Sequence, residues 1–193
     1  MDEQTINQNW QDKITNFAKK NIKILIAIMT IFLIGVISFS IFEYFQNEKE
    51  KLISEKFINA SIFIEKNKMV EGKKILEEVV SIKHKFYSPL ALNIIINKKL
   101  EKDNEIILEA YDSILSIRSI DKENKNLFKI KKALLLFSMQ DEEKIIKTLN
   151  PIINSKSIWR SEAIKLIGDY YTSVGEKIKA KEFYKLLNDN EEK

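Results

Sequence analysis

The chain has 193 residues and contains no cysteine and a single histidine, His84. Without cysteine there is no disulfide, no thiolate metal ligand and no thiol nucleophile, and one histidine cannot supply the several imidazoles of a zinc site. The sequence also lacks a glycine-rich phosphate loop and a Gly-x-Ser-x-Gly nucleophile turn. We therefore expect no catalytic residues, no metal and no cofactor, and we predict that the chain is not an enzyme. His84, between two lysines, is expected in a solvent-exposed loop.

Glycine and proline are scarce, with 4 and 2 residues respectively. This scarcity argues against a turn-rich β-sandwich, and after residue 43 no stretch shows the apolar–polar alternation of a half-buried strand. An excess of one charge is also lacking, since 32 basic and 28 acidic residues are interspersed and leave a formal net charge of +4. Nucleic-acid binding requires basic residues concentrated on one face, so no nucleic-acid partner is expected.

Residues 24–42 form an uncharged apolar run of 19 residues. A helix of that length rises about 29 Å, close to the ~30 Å hydrocarbon thickness of a bilayer. We predict a transmembrane helix at 24–42, between an arm at 1–23 and a domain at 43–193. A cleaved signal peptide is the alternative, because Ser38 and Ser40 have the small-residue spacing of a cleavage site. The run is, however, longer than a signal core of roughly 7–15 residues.

Basic residues are concentrated before this run. Those that precede it closely are Lys13, Lys19, Lys20 and Lys23, whereas the first basic residue after it is Lys49. Positive charge near a span tends to stay in the cytoplasm. We therefore expect a cytoplasmic arm and a domain on the outer side of the membrane, which in a Gram-negative cell is the periplasm. Trp10, Ile14 and Phe17 recur at helical spacing, so the arm is either an amphipathic helix on the inner leaflet or an unstructured tail.

The domain at 43–193 has apolar residues at helical spacing, broken by short polar stretches. The predicted breaks lie at 67–70, 84–87, 102–104, 119–123, 141–142, 155–156 and 175–176. They leave eight helices of about 11 to 20 residues, counting the helix that leaves the membrane. The predicted fold class is therefore all-α, with helices that follow one another in pairs.

The last pair, at 159–187, has small residues where two helices must approach closely. Gly168 and Ala180 are twelve residues apart, one in each helix, and Ala60 and Gly72 repeat this spacing in the first pair. Gly175 lies where the chain reverses, a position that favours glycine. The residues expected to pack within these hairpins are Ala60, Gly72, Ala163, Gly168, Tyr171, Gly175, Ala180 and Tyr184.

The last hairpin resembles a tetratricopeptide repeat, down to Gly-Asp-Tyr-Tyr at 168–171 followed by Gly-Glu at 175–176. Residues 88–91 align with 160–163 at an offset of 72, or two units of 36, and a tetratricopeptide unit has about 34 residues. The resemblance implies an α-solenoid of about four degenerate tetratricopeptide-like helical hairpins after the N-terminal transmembrane helix. A generic helical bundle is the alternative.

Stacked hairpins of this kind leave a concave surface, lined by the first helix of each pair, on which a peptide or a protein binds. If the offset of 72 holds, polar residues of these inner helices face the surface. The residues predicted to line this partner groove are Asn93, Asn97, Lys165, Asp169 and Ser173.

The order of arm, span and repeat domain resembles the bacterial ancillary subunit of the Sec translocon, a single-span inner-membrane protein with a periplasmic tetratricopeptide-like domain. The resemblance implies a chaperone-like scaffold that binds translocon subunits, periplasmic chaperones or emerging exported chains. One alternative is an envelope organiser in division or cell-wall synthesis that uses the same repeat domain. Another is a domain that only forms homo-oligomers, which predicts an unpaired apolar face near Ile53, Phe57 and Phe63.

Overall fold

The computed structural model describes Trp10, Lys13 and residues 15–17 and 19–188. No strand occurs among these residues, which confirms the all-α fold class. The helices within residues 22–188 are α1 (Ile22–Glu65), α2 (Met69–Ser81), α3 (Tyr87–Asn97), α4 (Asn104–Leu115), α5 (Lys122–Ser138), α6 (Glu142–Ile153), α7 (Arg160–Ser173) and α8 (Lys177–Asn188). Much of the predicted arm, including Ile14, lies outside the described residues, as do residues 189–193.

The helix boundaries follow the polar breaks in the sequence, since each predicted break overlaps a loop between two helices. Three helices begin after an aspartate whose side chain accepts a backbone N–H of the first turn: Asp103 for α4, Asp121 for α5 and Asp141 for α6. Such caps satisfy N–H groups that have no partner within the helix. The short polar stretches therefore begin helices as well as separating them.

The first helix is longer than predicted. α1 has 44 residues, against an expected maximum of about 20. It continues through Glu65 because the sequence has neither glycine nor proline between Gly35 and Gly72, and these are the residues that end helices most effectively. The end of the apolar run is therefore not the end of the helix.

The chain divides into two compact units, Met1–Leu52 and Ile53–Lys193. In the first unit every residue of α1 from Ile22 to Leu52 is exposed. Within the described residues α1 is the one helix long and apolar enough to cross a membrane. Its apolar part is not a core helix of this chain, because none of it is buried.

The second unit contains the core. Helices that are consecutive in the chain pack on each other from α2 to α8, and further contacts join α2 to α4 and α5 to α7. One buried cluster extends from Ile53 of α1 to Phe128 of α5. A second extends from Leu108 of α4 to Ala180 of α8. The buried side chains of the second unit therefore form two clusters, one from α1 to α5 and one from α4 to α8.

The alternative of a domain that only forms homo-oligomers requires an unpaired apolar face near Ile53, Phe57 and Phe63. Ile53 is buried in the core, and Phe57 packs against the same cluster with its ring 5.5 Å from that of Tyr87. Ile53 and Phe57 therefore contribute to the core and not to an unpaired apolar face, whereas Phe63 is half-buried. The exposed apolar residues of this part of α1 include Ile58 and Ile62.

Candidate protein-binding groove

The candidate site lies between α3 and α5. The Nζ atom of Lys131 donates a hydrogen bond of 2.8 Å to Oδ1 of Asn93, a link between residues 38 positions apart. Both side chains are half-buried. Burial lowers the pKa of Lys131, because a desolvated ammonium loses hydration that stabilises its charge. The same Nζ lies 5.4 Å from the ring centroid of Phe128.

Two cavities flank this pair, and both are lined by Asn93 and Lys131. The first has a volume of about 440 Å³, and its apolar lining consists of Phe86, Pro89, Leu90, Ile120, Leu127 and Phe128. The second has a volume of about 390 Å³, and its apolar lining consists of Ile96, Ile107, Tyr111, Leu134 and Leu135. We call the two cavities and the shared pair the α3–α5 groove. Each of the two cavity volumes falls within the roughly 300–1,000 Å³ typical of binding pockets.

The predicted partner-groove residues are divided between two places. Asn93 and Asn97 line the α3–α5 groove. Lys165, Asp169 and Ser173 lie exposed on α7 and do not line either cavity of the α3–α5 groove. The structure therefore brings the two asparagines together with Lys131, which the sequence pattern had not singled out.

On α7, two of these residues bond within their own hairpin. Oδ1 of Asp169 accepts a hydrogen bond of 2.6 Å from the hydroxyl of Tyr184, and Oγ of Ser173 donates one of 2.7 Å to the carbonyl of Tyr170. The bond to Asp169 raises the pKa of Tyr184, because a carboxylate stabilises the protonated phenol that donates to it. Asp169 thus has a role in holding α8 against α7.

The residues predicted to pack the last hairpin lie along the α7–α8 contact. Ala163, Tyr171 and Ala180 are buried. Gly168 lies against the ring of Tyr184, and a Cβ atom at residue 168 would overlap that ring. A bare backbone at this point leaves the space that the tyrosine fills.

The remaining residues predicted to pack within the hairpins are Gly175, Ala60 and Gly72. Gly175 has a φ of 83°, a left-handed conformation that glycine adopts without steric cost. In the first hairpin Ala60 is buried, and a Cβ atom at Gly72 would lie 3.2 Å from the carbonyl oxygen of Ala60. The same added atom would meet the side chain of Ile64 at 2.5 Å, so α1 and α2 approach closely at Gly72.

His84 lies in the loop between α2 and α3, as predicted, but it is half-buried and not fully solvent-exposed. Its Nδ1 atom accepts hydrogen bonds from the backbone N–H groups of Phe86, at 3.2 Å, and Tyr87, at 3.1 Å. The backbone N–H of His84 donates to Oγ of buried Ser88 at 2.8 Å. The predicted exposure was wrong because the imidazole caps the start of α3 by accepting hydrogen bonds from the N–H groups of Phe86 and Tyr87.

The α3–α5 groove displays chemistry suited to binding: an ammonium group, amide side chains and apolar surface. Among the described residues no group of three or more histidine, cysteine, aspartate or glutamate side chains is arranged to hold a metal ion. Comparison of the chain with protein-family models, with curated proteins and with solved structures gives no match.

Proposed function

We propose that this chain is a membrane-anchored scaffold or chaperone-like accessory factor of the Sec translocon, and that its α3–α5 groove binds partner proteins or emerging exported chains. The observation that carries the proposal is the groove itself, two apolar cavities of about 440 and 390 Å³ that share one polar pair. Apolar pockets with a few convergent polar groups are the usual form of a binding site.

We infer that the second unit is an α-solenoid of four tetratricopeptide-like hairpins: α1 with α2, α3 with α4, α5 with α6, and α7 with α8. The first helix of each pair ends in the same way. A residue with positive φ follows it: Asn67, Lys99, Gln140 and Gly175. This recurrence supports a repeated unit because each pair of helices reverses at the same kind of turn.

Hydrogen bonds at these turns support the same inference. After each of these four residues, the next N–H donates to the carbonyl five residues earlier: Lys68 to Phe63, Leu100 to Ile95, Asp141 to Leu136 and Glu176 to Tyr171. Lys83, after α2, also has a positive φ, but the backbone N–H that follows it donates to Ser88 instead. The four donor–acceptor distances are 2.9, 2.9, 3.2 and 2.9 Å in that order. This is the six-to-one bond of a Schellman motif, formed four times in one domain.

The anchor supports an envelope location. Residues 24–42 are all exposed within α1, and basic residues precede them. Tyr44 and Phe45 follow and are both exposed, and aromatic side chains favour the membrane–water interface. We propose one span of the bacterial inner membrane, with the N-terminus in the cytoplasm and the second unit in the periplasm.

Tethering a binding domain to a membrane raises its effective concentration near membrane partners. Together with the order of arm, span and helical pairs, this advantage favours the translocon as the partner. A lone anchor would be compatible with many partners, so the assignment rests on the resemblance of the whole chain to the ancillary translocon subunit.

Photo-crosslinking in cells tests the proposal. A photoreactive amino acid is placed at Leu134, which lines the groove and is 53% exposed, or at Ile178 of α8, which is 78% exposed and serves as the matched control. We expect adducts with translocon subunits or exported chains from residue 134 and far fewer from residue 178. Adducts with division or cell-wall synthesis proteins instead would assign the chain to an envelope organiser and reject the translocon role.

A further inference from the structure

The lysines around the second unit differ in their partners. Lys56 pairs with Glu78 at 2.6 Å, and Lys73 pairs with Glu101 at 2.7 Å. Lys132 pairs with Asp112 at 2.5 Å. Lys131, the neighbour of Lys132, takes part in none of the ion pairs formed by the described residues. Its hydrogen bond goes to the neutral amide of Asn93.

The position of Lys131 makes this lack of a counter-ion costly. Its side chain is half-buried between α3 and α5, where an ammonium group loses water and gains only an amide oxygen and an aromatic face. A buried charge is stabilised most by an opposite charge that also forms a hydrogen bond. The groove therefore favours a ligand that brings a carboxylate to Lys131.

Asp121 is the carboxylate among the residues that line the two cavities, and its oxygens accept hydrogen bonds at the start of α5. Its Oδ1 accepts a hydrogen bond of 2.9 Å from the backbone N–H of Asn124, and its Oδ2 accepts one of 2.5 Å from the side chain of Asn124. These bonds lower the pKa of Asp121 and hold it at the start of α5. The other charged lining residue, Lys85, is basic, so the charge that the groove offers to a ligand is positive.

The cavities also indicate how the ligand lies. They lie on both sides of the Asn93–Lys131 pair, and each is lined mainly by apolar side chains. An extended chain advances about 3.3 Å per residue, so a segment whose acidic residue reaches Lys131 presents its preceding and following residues to the two cavities. A ligand that ended at Lys131 would leave one cavity unfilled.

We propose that the α3–α5 groove binds an extended segment of another polypeptide through an internal acidic side chain, which pairs with Lys131 while apolar residues on either side enter the two cavities. This inference rests on the proposed function and specifies which segments of a partner the groove selects. Asn97 lies one helical turn from Asn93 along the lining of the second cavity and offers amide donors to the same segment.

Fluorescence anisotropy with the full chain in detergent micelles tests this selection. The probe is a labelled, end-blocked peptide of sequence Leu-Ile-Ser-Asp-Ser-Ile-Leu, compared with the same peptide carrying Asn at the centre. A third peptide carries Asn at the centre and a free C-terminal carboxylate. We expect the Asp peptide to bind about tenfold more tightly than either Asn peptide, as loss of a charge-assisted bond at a half-buried site predicts.

Two lysine variants locate the effect. Lys131→Met keeps the apolar length of the side chain, and we expect it to remove the preference for Asp over Asn. The matched control is Lys132→Met, the adjacent lysine that pairs with Asp112, and it should keep the preference. Circular dichroism melting curves of both variants establish that they are folded.

Each other outcome overturns the inference. Equal binding of the Asp peptide and the blocked Asn peptide would show a groove that selects apolar chains only, and the proposed function would stand. Tight binding of the peptide with the free carboxylate would assign the site to a chain end instead of an internal acid. If none of the peptides binds, the acidic-segment inference fails. The proposed function is decided by the crosslinking experiment, and it fails if residue 134 gives no adducts with translocon subunits or exported chains.

Discussion

The ring of Tyr184 on α8 lies so close to Gly168 on α7 that a Cβ atom at residue 168 would overlap it. Its hydroxyl also donates to Asp169 at 2.6 Å. Gly168→Ala should therefore push the ring away and weaken that bond. We expect a net loss of no more than about 1 kcal/mol in the free energy of unfolding, because the lost contact and hydrogen bond are partly offset by the roughly 1 kcal/mol that alanine gains over glycine in a helix.

Thermal denaturation of the full chain in detergent measures this loss. Gly35→Ala is the matched control, because an added Cβ atom at residue 35 meets no atom within 4 Å. A Gly168→Ala variant that melts at or above the temperature of the control would show that Tyr184 does not depend on the bare backbone at residue 168.

At the turn after α3, a substitution should raise the free energy of unfolding instead of lowering it. Lys99 has a φ of 51°, a conformation that costs a residue with a side chain about 1–2 kcal/mol and costs glycine almost nothing. Lys99→Gly should raise the free energy of unfolding by up to about 1 kcal/mol, after subtraction of the larger entropy of glycine in the unfolded chain. Urea unfolding monitored by circular dichroism measures the change.

Lys147→Gly is the control for this substitution. Lys147 is exposed within α6, and glycine at a helical position should lower the stability by about 1 kcal/mol. If Lys99→Gly and Lys147→Gly lose the same amount, the left-handed turn after α3 is not a strained position.

These turns explain why the sequence signals the proposed repeat only in part. The pattern around Gly175 predicted the last hairpin because glycine marks a left-handed turn. The corresponding residues of the other three pairs are Asn67, Lys99 and Gln140, and lysine and glutamine carry no such signal. The helices themselves were predictable from apolar spacing and polar breaks, whereas the turns at Lys99 and Gln140 depend on a backbone geometry that these residue types do not indicate.

The start of α3 depends on a buried serine. Oγ of Ser88 donates to the carbonyl of Val79 at 2.6 Å and accepts from the backbone N–H of His84 at 2.8 Å. Ser88→Ala removes both bonds and leaves buried backbone groups without partners, which should cost about 1–3 kcal/mol of stability. Ser81→Ala, at an exposed residue, should change stability by less than about 0.5 kcal/mol. Equal melting temperatures for the two variants would contradict this role of Ser88.

Glu101 gives the second unit a defined response to acid. Its carboxylate accepts from the N–H groups of Asp103 and Lys102 and from Nζ of Lys73, at 2.8, 2.6 and 2.7 Å. These bonds lower the pKa of Glu101 from 4.5 to about 2. Because the folded pKa lies below the unfolded one, the resulting stability is fully present above about pH 4.5 and is lost as the pH falls towards 2.

Chemical denaturation at a series of pH values tests this response. Glu101→Gln should be less stable than the wild type near neutral pH, and the difference should shrink as the pH falls from about 5 to 2, where the wild-type carboxylate becomes protonated. Glu162→Gln, on the exposed face of α7, serves as the control. A difference for Glu101→Gln that stays constant over this range would contradict the lowered pKa.

The groove was predictable only in part. Helical spacing placed Asn93 and Asn97 on one face of α3, and both line the groove. Lys131 was missed because α5 carries several lysines, including Lys129 and Lys132, and spacing along one helix does not reveal which of them meets Asn93. That choice depends on how α5 packs beside α3, which is a tertiary relationship between residues 38 positions apart.

The central claim is that the α3–α5 groove binds polypeptides outside the cytoplasm, and cysteine labelling tests it most directly because the native chain contains no cysteine. Asn97→Cys places a single thiol in the groove, and Ser116→Cys places one at an exposed residue after α4. The measurement is the rate of labelling by a membrane-impermeant maleimide in spheroplasts, with and without an exported chain stalled in the translocon. We predict that both thiols are labelled from outside and that the stalled chain slows labelling at residue 97 alone. Labelling only after the membrane is permeabilised, or equal rates at residue 97 in both conditions, would contradict the account.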